Sequence, residues 1–192
     1  EIVFEAKRYG YTVILLDTLE DEGNESECIN TLLTRSIDGI ILVPCGERPE
    51  SLEKIDEQTP IVLIDRYFED TSLSYICTDN YRGALDGVKL LIENGHKEIL
   101  CIRGVPHSMP SKERVKGYID ALRESGFDTR SRIAGNDYSI TNGYLETKLA
   151  IGSPARPTAI FALSNTIMLG AIRAIGESSL RIPDDVSILS FD

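Results

Sequence analysis

The sequence has no tryptophan and only two histidines and four cysteines in 192 residues. The cysteines are Cys28, Cys45, Cys77 and Cys101, and their spacing forms no CxxC motif. A metal cluster is not expected, because only two histidines, His96 and His107, are available to complete one. Three of the cysteines lie in or beside predicted strands, where a thiol behaves as a small buried hydrophobe. We therefore expect reduced thiols, no metal and no cofactor, as in a cytoplasmic protein.

Long apolar runs and positive charge are also scarce. No run approaches the ~20 residues of a membrane-spanning helix, and no signal peptide or transit segment is recognisable. The 31 acidic and 20 basic residues give a net charge of −11. That balance argues against direct binding of this segment to a nucleic-acid backbone or a membrane surface, since both favour clustered lysine and arginine. P-loop, GxGxxG and GxSxG motifs are missing as well.

Four apolar runs each end at an aspartate, namely Asp17, Asp65, Asp79 and Asp192. Runs of this kind are typical of strands buried on both faces of a parallel sheet. Ligands of open parallel sheets bind outside the carboxyl ends of the strands, so these carboxylates would stand where a ligand lies. They could accept hydrogen bonds from vicinal hydroxyls or coordinate a metal. Asp is also a common helix N-cap after a strand, and this alternative applies to each of the four.

Strand and helix signals alternate along the chain, which predicts parallel sheets with helices on both faces. One expected helix covers 111–124, with Ser111 as its N-cap and Arg114 in its first turn. One large sheet and two Rossmann-like lobes divided near Asp79 fit the pattern equally well. Residues 1–10 have the pattern of the second half of a helix ending before Gly10, and the chain stops directly after a strand. We therefore expect both ends to be cut from something longer.

Seven short motifs follow one another along the chain. They are IDGIIL (37–42), VLIDR (62–66), TDNYRGA (78–84), NGHKEI (94–99), ERVKGY (113–118), PTAIFA (157–162) and IPDDVS (182–187). Each is weak alone, but their order and spacing resemble those of the LacI/GalR (lactose-repressor-like) transcriptional regulators. The resemblance covers essentially the whole chain.

The resemblance implies the effector-binding core of such a regulator. That core has two α/β lobes of the periplasmic-binding-protein-like type I fold, with a ligand cleft between them. The lobes would be 1–78 and 79–192. The family's helix-turn-helix headpiece, the first strand of the first lobe and the final returning segment of the second would be missing.

The resemblance also assigns ligand-binding roles to individual residues. Asp65 and Arg66 of the VLIDR motif would both bind the ligand, with Asp65 accepting hydroxyl hydrogen bonds. Arg114 would donate a charged fork. Asp192 would grip the ligand, and Tyr138 would stack on the apolar face of a sugar. A capping Asp65, a solvated Arg114 and a core Tyr138 are the structural alternatives.

The chain departs from the family at three expected ligand or strand-end positions. Ser164 and Asn165 stand where the family usually has an Asn-Asp pair, and they remain ligand-binding candidates, although no particular sugar can be assigned. Arg103 replaces a glycine and adds a positive charge, which would suit a phosphorylated or acidic effector. Asp79 and Asn80 lie where the chain would cross between lobes and are expected to serve a hinge.

The resulting hypothesis is a non-enzymatic, homodimeric transcriptional regulator, in most of the family a repressor. Its effector, a sugar or sugar derivative, would change the affinity of the missing headpiece for palindromic operator DNA. One alternative is a periplasmic sugar-binding protein of a transport system. The other is an aspartate-dependent phosphatase using Asp17, but this chemistry needs a second acid two residues on, where the chain has Leu19.

Overall fold

The computed structural model describes residues 1–45, 50–127 and 132–192. The chain divides into two compact units, Glu1–Cys77 and Thr78–Asp192. The helices are α1 (Ile2–Arg8), α2 (Glu22–Leu33), α3 (Glu50–Asp56), α4 (Asn80–Glu93), α5 (Met109–Glu124), α6 (Ile140–Ile151) and α7 (Asn165–Gly176). The strands are β1 (Ile40–Leu42), β2 (Ile61–Ile64), β3 (Ser74–Ile76), β4 (Ile99–Ile102), β5 (Ile133–Ala134), β6 (Ala159–Ala162) and β7 (Ser187–Ser190).

The first unit contains a parallel sheet of three strands in the order β1-β2-β3. Successive side chains of a strand point to opposite faces. One face is buried: Leu42 and Leu63 pack with Ile29 of α2 and Leu52 of α3. The opposite face is more open, and Ile41 is 54% exposed. This sheet is therefore covered well on one side only.

The prediction of a strand for the apolar run that ends at Asp17 (13–17) is wrong. Residues 11–18 have no regular secondary structure, and Leu15 is 90% exposed. A strand exists only where a neighbour completes its hydrogen-bond ladder, and no strand of the described residues pairs with this segment. Its apolar composition cannot supply a partner. Asp17 instead closes a local turn, since its Oδ1 accepts the Leu19 N–H at 2.9 Å.

The second unit contains a parallel sheet of four strands in the order β5-β4-β6-β7. Cys101 and Phe161 face a core shared with α4 and α5, whereas Ile102 and Ile160 face a core shared with α7. Every residue of β4 and β6 is buried. That burial explains their continuous apolar sequences. The predicted α/β class, with parallel sheets flanked by helices, is confirmed.

The residues at which α4 and α5 begin determine the positions of several predicted site residues within these helices. The Asp79 carboxylate accepts the Arg82 N–H at 2.9 Å, so this aspartate caps α4. Helix α5 begins at Met109 after the N-cap Ser108, and the N-cap predicted at Ser111 is therefore wrong. Pro110 explains the earlier start, because proline is favoured in the first turn of a helix. Arg114 consequently lies in the second turn of α5 and not in the first, so the helix dipole, which acts mainly within the first turn, affects it little.

Candidate functional site

Asp65 follows β2 at the carboxyl edge of the first sheet. Its φ of 67° places a non-glycine residue in the left-handed region, a conformation that costs free energy and is concentrated at functional sites. Its N–H continues the ladder by donating to the Ile76 carbonyl at 3.0 Å. No helix follows it directly, and its side chain, 57% exposed, lies 4.0 Å from the Arg66 Nε. Asp65 thus presents acceptor oxygens at a strand end and does not cap a helix.

A polar cluster that the sequence did not reveal lies close to Arg66. Arg66 Nη2 contacts the Glu20 carboxylate at 3.1 Å. The Cys45 Sγ is 3.2 Å from the Thr18 Oγ1, and the Cys45 N–H donates to the buried Glu25 carboxylate at 2.7 Å. Burial raises the pKa of the Cys45 thiol, which stays protonated at neutral pH. The cluster places hydroxyl, thiol and guanidinium groups beyond β1 and β2.

Arg114 is a buried side chain of the second unit, only 7% exposed. Its Nε donates to the Asn80 Oδ1 at 2.7 Å and its Nη1 to the Leu163 carbonyl at 2.6 Å. The guanidinium carbon lies 3.8 Å from the centroid of the Phe191 ring, a cation–π geometry. Arg114 therefore joins the start of α4, helix α5 and the ends of β6 and β7. The sequence did not show this structural role.

Tyr138 and Ser164 belong to a second hydrogen-bonded group, which lies at the carboxyl edge of the second sheet. The Tyr138 hydroxyl is 3.2 Å from the Ser108 Oγ, and its carbonyl accepts from the Thr166 Oγ1 at 2.5 Å. Ser164 Oγ lies 2.9 Å from the Thr166 Oγ1 and accepts the Ile167 N–H, so it caps α7. The structure thus links Tyr138 to Ser164 through Thr166, a residue that the sequence reading missed.

The remaining candidates lie at element ends. Asn165 is the first residue of α7. Asp192 follows β7, and its φ of 96° again puts an aspartate in the left-handed region. Asn80 is 1% exposed, and its amide donates to the Thr78 carbonyl at 3.1 Å. The hinge role of Asp79 and Asn80 and the ligand roles of the other candidates stay predictions.

Two features are missing from the described parts of the chain. Within 1–45, 50–127 and 132–192, no three or more His, Cys, Asp or Glu side chains are grouped so that they could hold a metal ion. The helices of these same ranges are all too short or too polar to cross a membrane.

Comparison with known proteins decides the family. A model of the family described as periplasmic binding proteins and the sugar-binding domain of the LacI family matches residues 2–192. The chain belongs to this family. It is 33% identical to the transcriptional repressor CytR of Escherichia coli K12, over 97% of the chain and 55% of CytR. It is also 33% identical to the transcriptional repressor PurR of Actinobacillus pleuropneumoniae, over 95% of the chain and 55% of PurR.

Solved LacI-family structures support the same conclusion. A sugar-binding transcriptional regulator of the LacI family from Escherichia coli, crystallised with phosphate, superposes with a TM-score of 0.87. The two share 26% identity, and the match covers 100% of this chain and 70% of that one. The relatives are transcriptional repressors or regulators, in agreement with the prediction of a non-enzymatic protein. The chain spans about half the length of the curated relatives it matches.

Proposed function

We propose that this chain is the effector-binding part of a cytoplasmic LacI-type transcriptional regulator. A small molecule, a sugar or a sugar derivative, binds at the carboxyl ends of the strands and changes the operator affinity of a helix-turn-helix headpiece. Residues 1–78 and 79–192 form its two lobes. The match to the LacI-family sugar-binding domain over residues 2–192 carries the proposal. The relatives CytR and PurR are named as transcriptional repressors, and this supports the proposal that the regulator is a repressor.

The side chains at the strand ends suit a polyhydroxylated ligand. Asp65 and Asp192 both follow strands and both adopt a left-handed backbone. Carboxylates accept hydrogen bonds from pairs of neighbouring hydroxyls, and each such bond to a charged group contributes ~1.5–3 kcal/mol. Strain retained at Asp65, an acceptor residue within the chain, is easiest to explain if this position serves binding.

A homodimer is the second part of the proposal. Helices α6 and α7 pack against each other but leave large apolar side chains in water. Leu149 is 71% exposed, Leu145 and Leu169 are each 51% exposed, and Ile172 is 42% exposed. Exposed apolar groups of this kind mark association surfaces, and a symmetric dimer is the commonest assembly. The partner we propose for this face is a second copy of the chain.

The test of the proposed function uses the full-length protein. Selection from random DNA should yield a palindromic site, because a two-fold symmetric dimer reads two equivalent half-sites. Addition of the effector should change operator affinity, typically by ~1–3 kcal/mol. Failure to bind any palindromic DNA with or without sugars would reject the regulator, and a secretion signal on the native protein would favour a transport-associated binding protein.

The dimer is tested separately by Leu169→Glu. Sedimentation should show that this variant is a monomer at concentrations where the wild type is a dimer, because a charge would be buried at the interface. Lys148→Glu on the same helix pair, at an exposed polar position, serves as the control and should stay dimeric. A dimeric Leu169→Glu protein would exclude this face.

A further inference from the structure

Arg103 is held at the carboxyl end of β4, an inner strand of the second sheet. Its N–H donates to the Ala134 carbonyl at 2.8 Å, and its side-chain Nε donates to the Gly135 carbonyl at 3.0 Å. The side chain is half-buried. One of the five guanidinium N–H groups is thereby fixed, and the orientation of the planar fork is set before any ligand arrives.

The backbone around Arg103 is built tightly. Gly135 has a φ of +88°, and a side chain there would lie 2.8 Å from the Arg103 carbonyl oxygen and from the Asn142 amide. The Asn142 Nδ2 donates to the Arg103 carbonyl at 3.1 Å and to the Asp137 carbonyl at 2.6 Å. Asn142 is itself 6% exposed. The loop 135–139 and the end of β4 therefore form one rigid support for the guanidinium.

The terminal nitrogens of Arg103 have no hydrogen-bond or ion-pair partner in the described portion of the chain. The acidic residue of the supporting loop, Asp137, instead accepts the Ser139 N–H at 2.6 Å. A half-buried cation without a counter-charge is costly unless something else pairs with it. The absence is informative in a protein of net charge −11, where carboxylates are abundant.

The start of α5 contacts the loop that supports Arg103. Tyr138 packs against Gly104 and reaches the Ser108 Oγ at 3.2 Å, which brings the start of α5 and the loop 135–139 together. The Ser108 hydroxyl donates to the Val105 carbonyl and makes no cap. The Ser111 hydroxyl is 1% exposed and has no partner among the described atoms. The first turn of this helix has no side-chain cap, and uncapped N–H groups at a helix start favour negative charge.

We propose that the second unit binds an anionic group of the effector, a carboxylate or a phosphate monoester, through the Arg103 guanidinium. The inference rests on the proposed function, because it names the chemical class of the ligand of that same site. Two oxygens of such a group match the two terminal nitrogens of the fork, which a neutral hydroxyl cannot do. Asp192, which follows β7 of the same sheet, would bind hydroxyls of the same molecule.

Inorganic phosphate is the first probe, followed by nuclear magnetic resonance of the chain. Phosphate should shift the Arg103 Nε–H signal and the amides of Gly104 and Gly135 in a saturable manner, and sodium chloride of equal ionic strength should not. Acetate in place of phosphate distinguishes a carboxylate site from a phosphoryl site. Arg103→Gln should abolish these shifts, and Arg103→Lys should weaken them, because lysine keeps the charge without the fork.

Arg156→Gln is the matched control. It removes the same charge from an exposed position just before β6, at the opposite edge of the same sheet, and should respond to phosphate like the wild type. Unchanged amide spectra elsewhere would show that Arg103→Gln is folded. A wild type that shows no phosphate-dependent shift around Arg103, or shifts that persist in Arg103→Gln, would overturn the inference.

Calorimetry with matched sugars gives the second readout. Glucose, glucuronate and glucose 6-phosphate differ only at C6, where the first is neutral and the other two are anionic, and other aldoses offer the same set. An anionic member that binds should lose about tenfold or more in affinity in Arg103→Gln, and the neutral member should not. A neutral sugar that binds tightly to both proteins would overturn the anionic class while leaving the proposed regulator intact. Loss of operator binding by the full-length protein would reject the regulator independently.

Discussion

Replacement of Arg114 by alanine should destabilise the protein strongly. The change leaves the Asn80 amide oxygen and the Leu163 carbonyl without their donor, and it removes the cation from the Phe191 ring. A hydrogen bond to a charged group contributes ~1.5–3 kcal/mol, and each buried acceptor left unpaired costs ~1–3 kcal/mol. Release of a buried charge offsets part of this loss. We expect the free energy of unfolding to fall by about 2–4 kcal/mol.

Urea denaturation followed by circular dichroism measures this loss, with Arg123→Ala as the control. Arg123 lies on the same helix, but its side chain is 72% exposed and pairs with Asp120 at the surface. Exposed ion pairs contribute ~0–1 kcal/mol, so Arg123→Ala should be nearly neutral. An Arg114→Ala protein as stable as Arg123→Ala would refute the reasoning that the buried contacts hold the unit together.

Three further predictions concern other buried or strained groups. Asp65→Gly should stabilise the fold by up to about 1 kcal/mol in urea denaturation, because glycine tolerates a left-handed φ, and it should also weaken effector binding. Asp65→Ala keeps the strain, so it should weaken binding without any gain in stability. Stability should fall as the pH rises through 9 to 10, because burial raises the pKa of Tyr118 and of Cys101, and the unfolded chain releases these protons first. Urea titrations across that range test this, and Tyr118→Phe with Cys101→Ala should flatten the profile. Ser164→Ala should cost ~1 kcal/mol in thermal or urea unfolding by removing the cap of α7, and an unchanged stability would contradict that role.

The sequence correctly predicted the strands that are buried on both faces. Strands β4 and β6 are apolar throughout and are buried on both faces, so their composition alone located them. The segment 13–17 has the same composition but pairs with no described strand. Composition indicates that a segment favours the strand conformation. A strand also needs a neighbouring strand to pair with, and whether one is present depends on the whole fold.

The site was predicted less completely, because side-chain roles depend on distant partners. The choice between capping and binding could not be made for any single aspartate from sequence; the structure shows that Asp79 caps a helix and Asp65 does not. Arg114 meets Asn80, 34 residues earlier, and Leu163, 49 residues later. No local pattern records such contacts. The polar contacts of Cys45 were missed for the same reason, since Thr18 lies 27 residues away.

The most direct test of the account is calorimetric titration of the chain with sugars and their acidic and phosphorylated derivatives. We predict saturable binding of at least one member, and a loss of ~1–3 kcal/mol in binding free energy for Asp192→Asn and for Asp65→Asn, since each removes a charged hydrogen-bond acceptor. Wild-type affinity in both variants, or no binding of any sugar or derivative, would contradict the assignment of this chain as a sugar-responsive effector-binding domain.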